Sequence, residues 1–502
     1  MSPRHIVALV FPSWGHTIGY INLTNAMLKM NPDLIVTIVL HNLIVPKAIA
    51  EFEQSSYDKT RLRIVGVGAK DLPLGPHTLP IVMEELVGGW FETITKLTQD
   101  VSTFPRPNSI HLDFGCGGMV IERTKEIVGS QCKTLMWWSA IVVSLPIHIS
   151  DYDFTAIAQE IYADEAKRDG RTLEEILHKV VTASNGTDKI SGKIIKYPGS
   201  PDLYDYERNS YAVSPEMVTG ILVQAQVLAK FCDGFIVATH STLEPIGVPH
   251  CRELYKKRGQ EFFAVGPQLN ELCWADEPVA PSNQRVKSFL DAAVKQYGNR
   301  SVLYISFGSF FFPIGQPHMV DALIETLMKL DPPFPFIFAL GGQLASLPAE
   351  LIQRVNESGK GLICDFWVEQ RAILQSGAIG WFLTHGGFNS VGESLAQGIP
   401  LIVWSCAAEQ PINAAFLSAS ANPVAIELFQ IRTGPHIGPS LHTDIKITGT
   451  VEDAVEEFKS VFNDARGARG ATLRANAAEM ASMLRVERTG DSLKELDRLI
   501  NF

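Results

Sequence analysis

The 502-residue sequence has no long hydrophobic run, no paired-cysteine motif and no excess of basic charge. No stretch approaches the ~18 to 20 consecutive apolar residues that a bilayer-spanning helix needs. The apolar run near the N-terminus, Ile6 to Phe11, is shorter than a signal-peptide core and leads into a Gly-His turn instead of a small-residue cleavage site. The seven cysteines are scattered without CxxC spacing, which argues against a disulfide framework and against a zinc site. A reducing, cytoplasmic location is therefore expected, and the sequons at Asn22 and Asn185 would go unused there. A net charge of −11 without a lysine- and arginine-rich face argues against nucleic acid as a main partner. A monomer is expected.

What is present is a globular composition, 46% apolar and 19% charged, in a chain too long for one ordinary core. Short apolar runs alternate with helical patterns: HIVALVF, DLIVTIVL, RLRIVGVG, SIHLDFG and KTLMWWS read as strands, and FCDGFIVATH as the last of that series. Ile18 to Met30 reads as the first helix, after a turn at SWGH. A proline-containing stretch, Gly266 to Gln284, then breaks the pattern. A second alternating series follows from SVLYISFGS, and the chain is helical from Val451 onward. The fold expected is α/β, with two Rossmann-like, doubly wound parallel-sheet domains facing across a cleft. Their expected bounds are 1–265 for the N-terminal domain, 266–300 for the linker and first helix, 301–484 for the C-terminal domain and 485–502 for a final helix.

The segment from Trp367 to Gln410 concentrates the chemistry. A strand ends at Thr384-His385, two glycines follow, and Asn389 and Ser390 open a helix that carries Glu393. Glycines admit close backbone approach, and a helix N-terminus offers N–H donors and partial positive charge, which suits a diphosphate. By residue pattern alone, a glycine-rich turn with a capping asparagine reads equally well. The segment resembles the 44-residue signature box of family 1 UDP-glycosyltransferases, and 410 − 367 + 1 gives 44 here without a gap. It departs from that box at Glu369, Ser376, Phe388, Ser405, Ala407 and Glu409.

The resemblance implies a GT-B-like fold and a UDP-sugar co-substrate with no further cofactor and no metal. It implies that Trp367 stacks on uracil, that Gln370 lies near the ribose, that Glu393 binds the ribose hydroxyls, and that Val368 belongs to the same UDP-sugar site. His385, Gly387, Asn389 and Ser390 would hold the diphosphate with Ser309 of the SFGS loop. Glu409 and Gln410 would bind the sugar, and Gln410 resembles the glucose-using members. The stretch ATHSTLEP, with Leu243 and Glu244, and the C-terminal VERTGDSLKELDRLI also resemble the family.

The reaction needs a base near neutral pKa to take a proton from the acceptor hydroxyl. His16, after the first strand, and Asp113, ending another, resemble the family's base and its supporting carboxylate; His111 is read as structural. Trp14, Trp90, Phe114 and Trp137 are candidate walls for a small apolar hydroxylated acceptor; each reads equally well as core packing, and Trp137 reads better so. Asp151-Tyr152-Asp153 is read as exposed acids and not as a manganese-binding DxD motif. GCGG lacks the spacing for NAD. The expected activity is inverting transfer of a sugar, glucose by preference, onto such an acceptor. Two rivals use the same site: a UDP-N-acetylglucosamine 2-epimerase, which would release UDP without an alcohol or phenol present, and a non-catalytic UDP-sugar-binding module, in which His16 would be dispensable.

Overall fold

The structure, a computed structural model, describes residues 4–72, 78–149, 153–184, 192–210, 215–342 and 344–502. The chain forms two compact units. The first comprises Met1–Ser184, Ser214–Gln268 and Glu487–Phe502; the second comprises Asn185–Val213 and Leu269–Val486.

In the first unit the strands β1 (His5–Leu9), β2 (Ile35–His41), β3 (Leu62–Val67), β4 (Ser109–Asp113) and β5 (Lys133–Trp138) lie in one parallel sheet. A short antiparallel ribbon, β6 (Ile194–Ile195) with β7 (Leu203–Tyr204), belongs to the second unit. The first sheet then continues with β8 (Gly234–Val237) and β9 (Glu261–Ala264), in the order β3-β2-β1-β4-β5-β8-β9. β1, β4 and β5 are buried on both faces save Lys133, which explains their near-continuous apolar sequences.

The second unit repeats the plan. Its strands are β10 (Val302–Ser306), β11 (Phe336–Ala339), β12 (Gly361–Cys364), β13 (Ile379–Thr384), β14 (Leu401–Val403) and β15 (Ala425–Glu427). All pair in parallel, in the order β12-β11-β10-β13-β14-β15. In both sheets the winding direction reverses beside the first strand, between β1 and β4 and between β10 and β13. Loops leaving the carboxyl ends of those two strands diverge and leave room for a ligand.

Several expectations need correcting. The first helix, α1 (Trp14–Met30), begins four residues early, so His16 sits in its first turn and not in a loop before it. The last strand of the first sheet is β9, not the run at 234–237. The N-terminal domain is not continuous from 1 to 265, because the segment around β6 and β7 groups with the second unit. There, buried Glu207 accepts from the backbone of Tyr204 and Leu441, and buried Arg432 donates to the carbonyls of Glu207 and Asn209. The final helix, Asp491–Asn501, belongs to the first unit.

Glu244 illustrates how a loop near the first site is held. Its buried carboxylate accepts the backbone N–H groups of Val142 and Val143 at 2.7 and 3.0 Å, just beyond β5. Burial pushes its pKa up from 4.5 to about 7, against the pull of those two donors. A group with a raised folded-state pKa contributes stability that is present below about 4.5 and lost as the pH rises through about 7. Glu244→Gln removes that titration. The stability of the variant relative to the unmodified chain should therefore climb between those pH values and level off above them. Urea melts across the range check this, and a flat difference would contradict it.

Candidate functional site

In the first unit, β1 delivers the chain into α1 and β4 ends at Asp113, side by side at the reversal point. His16 Nδ1 lies 2.9 Å from Asp113 Oδ1 and 3.0 Å from Oδ2. A carboxylate only accepts, so Nδ1 carries the proton and donates it. The neutral ring then keeps its lone pair on Nε2, the tautomer a general base requires. The His16 side chain is 22% exposed while that of Asp113 is fully buried. The carboxylate is held in turn by the Gly115 N–H, 2.9 Å from Oδ1. A Cβ at Gly115 would stand 2.8 Å from the ring of Phe11, which explains the glycine.

Aromatic rings flank the imidazole: Phe114 at 4.8 Å and Phe11 at 5.1 Å between centroids, with Trp138 against Phe114 at 4.4 Å. Trp14, half-buried, opens α1 and carries the Lys47 ammonium 4.1 Å from its ring. Trp90 and Trp137 do not fit the expected acceptor wall. Trp90 lies inside the helix Leu79–Gln99, fully buried, with Nε1–H donated to Thr124 Oγ1 at 2.8 Å. Trp137 is fully buried in β5 against Tyr20. Both are core, because their positions face the interior of the sheet-and-helix packing. Trp90→Ala should cost about 3–5 kcal/mol of stability, measurable by denaturant melts, with no specific effect on substrate affinity.

In the second unit, the loops after β10 and β13 form the corresponding site. The His385 ring sits against two glycines. A Cβ at Gly308 would stand 2.7 Å from its Cε1, and one at Gly387 would collide with Nε2. Gly308 and Gly386 also take positive φ values, 77° and 83°, which other residues adopt at a cost. Burial lowers the His385 pKa to about 4, so the ring is neutral at physiological pH and offers a donor without a full charge. The helix Phe388–Ala396 begins here, and its cap is Gly387, not Asn389. A glycine cap supplies no side-chain acceptor for the first-turn N–H groups, which suits an anionic ligand.

Further along, Gln370 Nε2 donates to Glu393 Oε2 at 2.7 Å and reaches Ser390 Oγ at 3.4 Å. The three expected nucleotide residues Gln370, Ser390 and Glu393 are thus together. Trp367 is 59% exposed, unusual for so large an apolar ring, and Val368 beside it is buried. The Trp367 ring packs over Gly341, 3.7 Å from where a Cβ would stand. Ser309 lies in the half-buried loop after β10. Gln410 is buried, and its Oε1 accepts the N–H groups of Cys406 and Ala407 at 2.9 and 3.1 Å. Only its Nε2 donors remain to meet a hydroxyl. Glu409 caps the helix Gln410–Ser418 and is half-buried.

Two of the six departures from the signature box make local hydrogen bonds. Glu369 accepts from the N–H and hydroxyl of Ser282, and Ser405 Oγ meets Ser210 Oγ at 2.6 Å. Asn413, absent from the sequence reading, donates to the Gly386 carbonyl at 2.8 Å and fixes the glycine turn. Asp153 caps the helix Phe154–Ala163 through the Ala156 N–H, which holds its carboxyl below the usual range, and pairs with Lys230. Its DxD partner Asp151 lies outside the described residues, as does the sequon at Asn185. The other sequon residue, Asn22, is buried and donates to the Gln268 carbonyl. Among the described residues, no helix is long and apolar enough to cross a membrane, and no group of three His, Cys, Asp or Glu could hold a metal ion.

Residues 275–434 match the family model described as UDP-glucoronosyl and UDP-glucosyl transferase. The chain is 26% identical to the UDP-glycosyltransferase eriJ of Hericium erinaceus, over 99% of this chain and 98% of that protein. It is 24% identical to UDP-glycosyltransferase 71B7 of Arabidopsis thaliana, over 92% and 90%. Among solved structures, Medicago truncatula UGT71G1 complexed with UDP-glucose matches at a TM-score of 0.72 and 18% identity, over 99% of this chain and 98% of that one. Phytolacca americana UGT2, complexed with UDP-2fluoro-glucose and pterostilbene, matches at 0.69 and 18%, over 99% of both chains. At such identities the structural likeness speaks for the fold, which is GT-B.

Proposed function

We propose, since this chain belongs to the UDP-glycosyltransferase family, that it transfers glucose from UDP-glucose to a hydroxyl of a small apolar acceptor, with inversion, giving a β-glucoside. The observation that carries this reading is the His16–Asp113 pair at the carboxyl end of the first sheet. His16 Nε2 takes the proton of the acceptor hydroxyl as its oxygen attacks the anomeric carbon, and the imidazolium that forms is stabilised by Asp113. Phe114 and Trp14 offer apolar surface to the acceptor.

The second unit holds the donor. Trp367 stacks on uracil, and Glu393, oriented by Gln370, accepts from the ribose hydroxyls. Ser309, His385, Asn389 and Ser390, with the N-terminus of the helix Phe388–Ala396, meet the charge of the departing diphosphate in place of a metal ion. The Gln410 amide and Glu409 hold the sugar hydroxyls. The glucose preference is supported by Gln410 and its available donors. The test is a panel: purified protein, several UDP-sugars, and phenols, flavonoids and sterols as acceptors. Glucosides from UDP-glucose are expected; faster transfer from another UDP-hexose would reject the sugar assignment.

A further inference from the structure

A second cross-tie joins α1 to β4 beneath the His16–Asp113 pair. Tyr20 Oη lies 2.7 Å from His111 Nδ1, both side chains are buried, and the rings meet edge-on at 6.0 Å. Tyr20 stands four residues beyond His16 on α1, while His111 stands two residues before Asp113 on β4. Because β1 and β2 are parallel, α1 returns antiparallel to the strands. Four residues of helix advance about 6 Å and two residues of strand about 6.6 Å. The two ties are therefore rungs at matching spacing between one helix and one strand. Trp137, edge-on to Tyr20 at 5.7 Å, closes the far side of the inner rung.

We infer that Tyr20 and His111 are positioning residues for the base: their hydrogen bond fixes how far α1 slides and rolls over β4, and so seats His16 against Asp113. The inference rests on the reading of His16 as the base and extends it. His16 occupies the first turn of its helix, where the ring is carried on backbone with few intrahelical hydrogen bonds behind it. A tie one turn further in anchors that end. Tyr20 is 1% exposed and His111 fully buried, so both act through His16 instead of touching substrate. Burial drives the His111 pKa down to about 3 and raises that of Tyr20. The inner rung is thus neutral over the working pH range and adds no charge beside Asp113.

The test is Tyr20→Phe, which keeps the ring and removes the hydroxyl, assayed with UDP-glucose and the fastest phenol of the panel. Loss of seating should lower kcat about ten- to a hundredfold, since small misplacements of a reacting group cost that much. KM for UDP-glucose should stay within about twofold. In an Asp113→Asn background the same substitution should lower kcat less than about twofold, because two residues that act through one geometry are not additive. His111→Asn, which retains a hydrogen-bonding atom near the Nδ1 position, should recover most of the rate that His111→Leu loses. An unchanged kcat in Tyr20→Phe, or an equal fall in both backgrounds, would overturn the inference while leaving the base intact. An Asp113→Asn enzyme as fast as the unmodified one would instead overturn the His16–Asp113 reading, and the positioning inference with it.

Discussion

With alanine at position 16, transfer should slow by at least about a thousandfold while UDP binds as before. General base catalysis contributes about 10² to 10⁴ in rate, and the positioned nucleophile adds to that. The imidazole meets Asp113 through Nδ1, within the first unit. The proposed UDP-binding side chains Trp367, Gln370, Ser390 and Glu393 all belong to the second. The substitution thus removes the proton acceptor without touching the residues that grip the nucleotide. Initial rates across the acceptor panel, paired with calorimetric titration of UDP, separate the two quantities. A variant with full turnover would remove His16 from the mechanism, and one with lost UDP affinity would show a general structural defect.

Trp367→Ala should produce the complementary result. Stacking of a base on an aromatic ring is worth about 1–3 kcal/mol, roughly five- to 150-fold in Kd for UDP. Trp367 is 59% exposed, so its removal leaves no buried cavity, and the thermal midpoint should barely move. Trp367→Phe should recover much of the affinity, because the flat face survives. Turnover at saturating UDP-glucose should fall far less than in His16→Ala. Unchanged UDP affinity in Trp367→Ala would show that the ring does not receive the base.

The sequence made the second unit's share of the candidate site legible because, Ser309 apart, its residues lie within 44 consecutive positions. The local strand, glycine turn and helix then dictate much of their geometry. The resemblance to the signature box placed Gln370 and Glu393 in one set, and the structure brings their side chains to 2.7 Å. His16 and Asp113 were legible through the family resemblance, since strand position alone reads as readily as a structural histidine in a turn. Their contact is 97 residues apart in the chain, and only the parallel pairing of β1 with β4 brings it about.

Other features depended on packing that no local pattern encodes. The sequence left Trp90 open between wall and core and favoured core for Trp137, because tryptophan suits both a binding face and a core. The distinction lies in which neighbours cover them. Gly115 entered the sequence reading only within GCGG, as a motif without the spacing for NAD, yet its N–H holds the Asp113 carboxylate. Asn413 ties down Gly386, and Tyr20 meets His111 across 91 residues, with no motif announcing either. The grouping of the β6–β7 ribbon with the second unit rests on Glu207 and Arg432, more than two hundred residues apart.

The central claim is that a deprotonated acceptor oxygen displaces UDP from the anomeric carbon in a single step. The most direct measurement is proton NMR of the reaction between purified protein and UDP-glucose, run with and without a phenol acceptor. Release of UDP only when the phenol is present, with the large anomeric coupling of a β-glucoside in the product, is the predicted result. An α-glucoside, or UDP released equally fast without any acceptor, would contradict it.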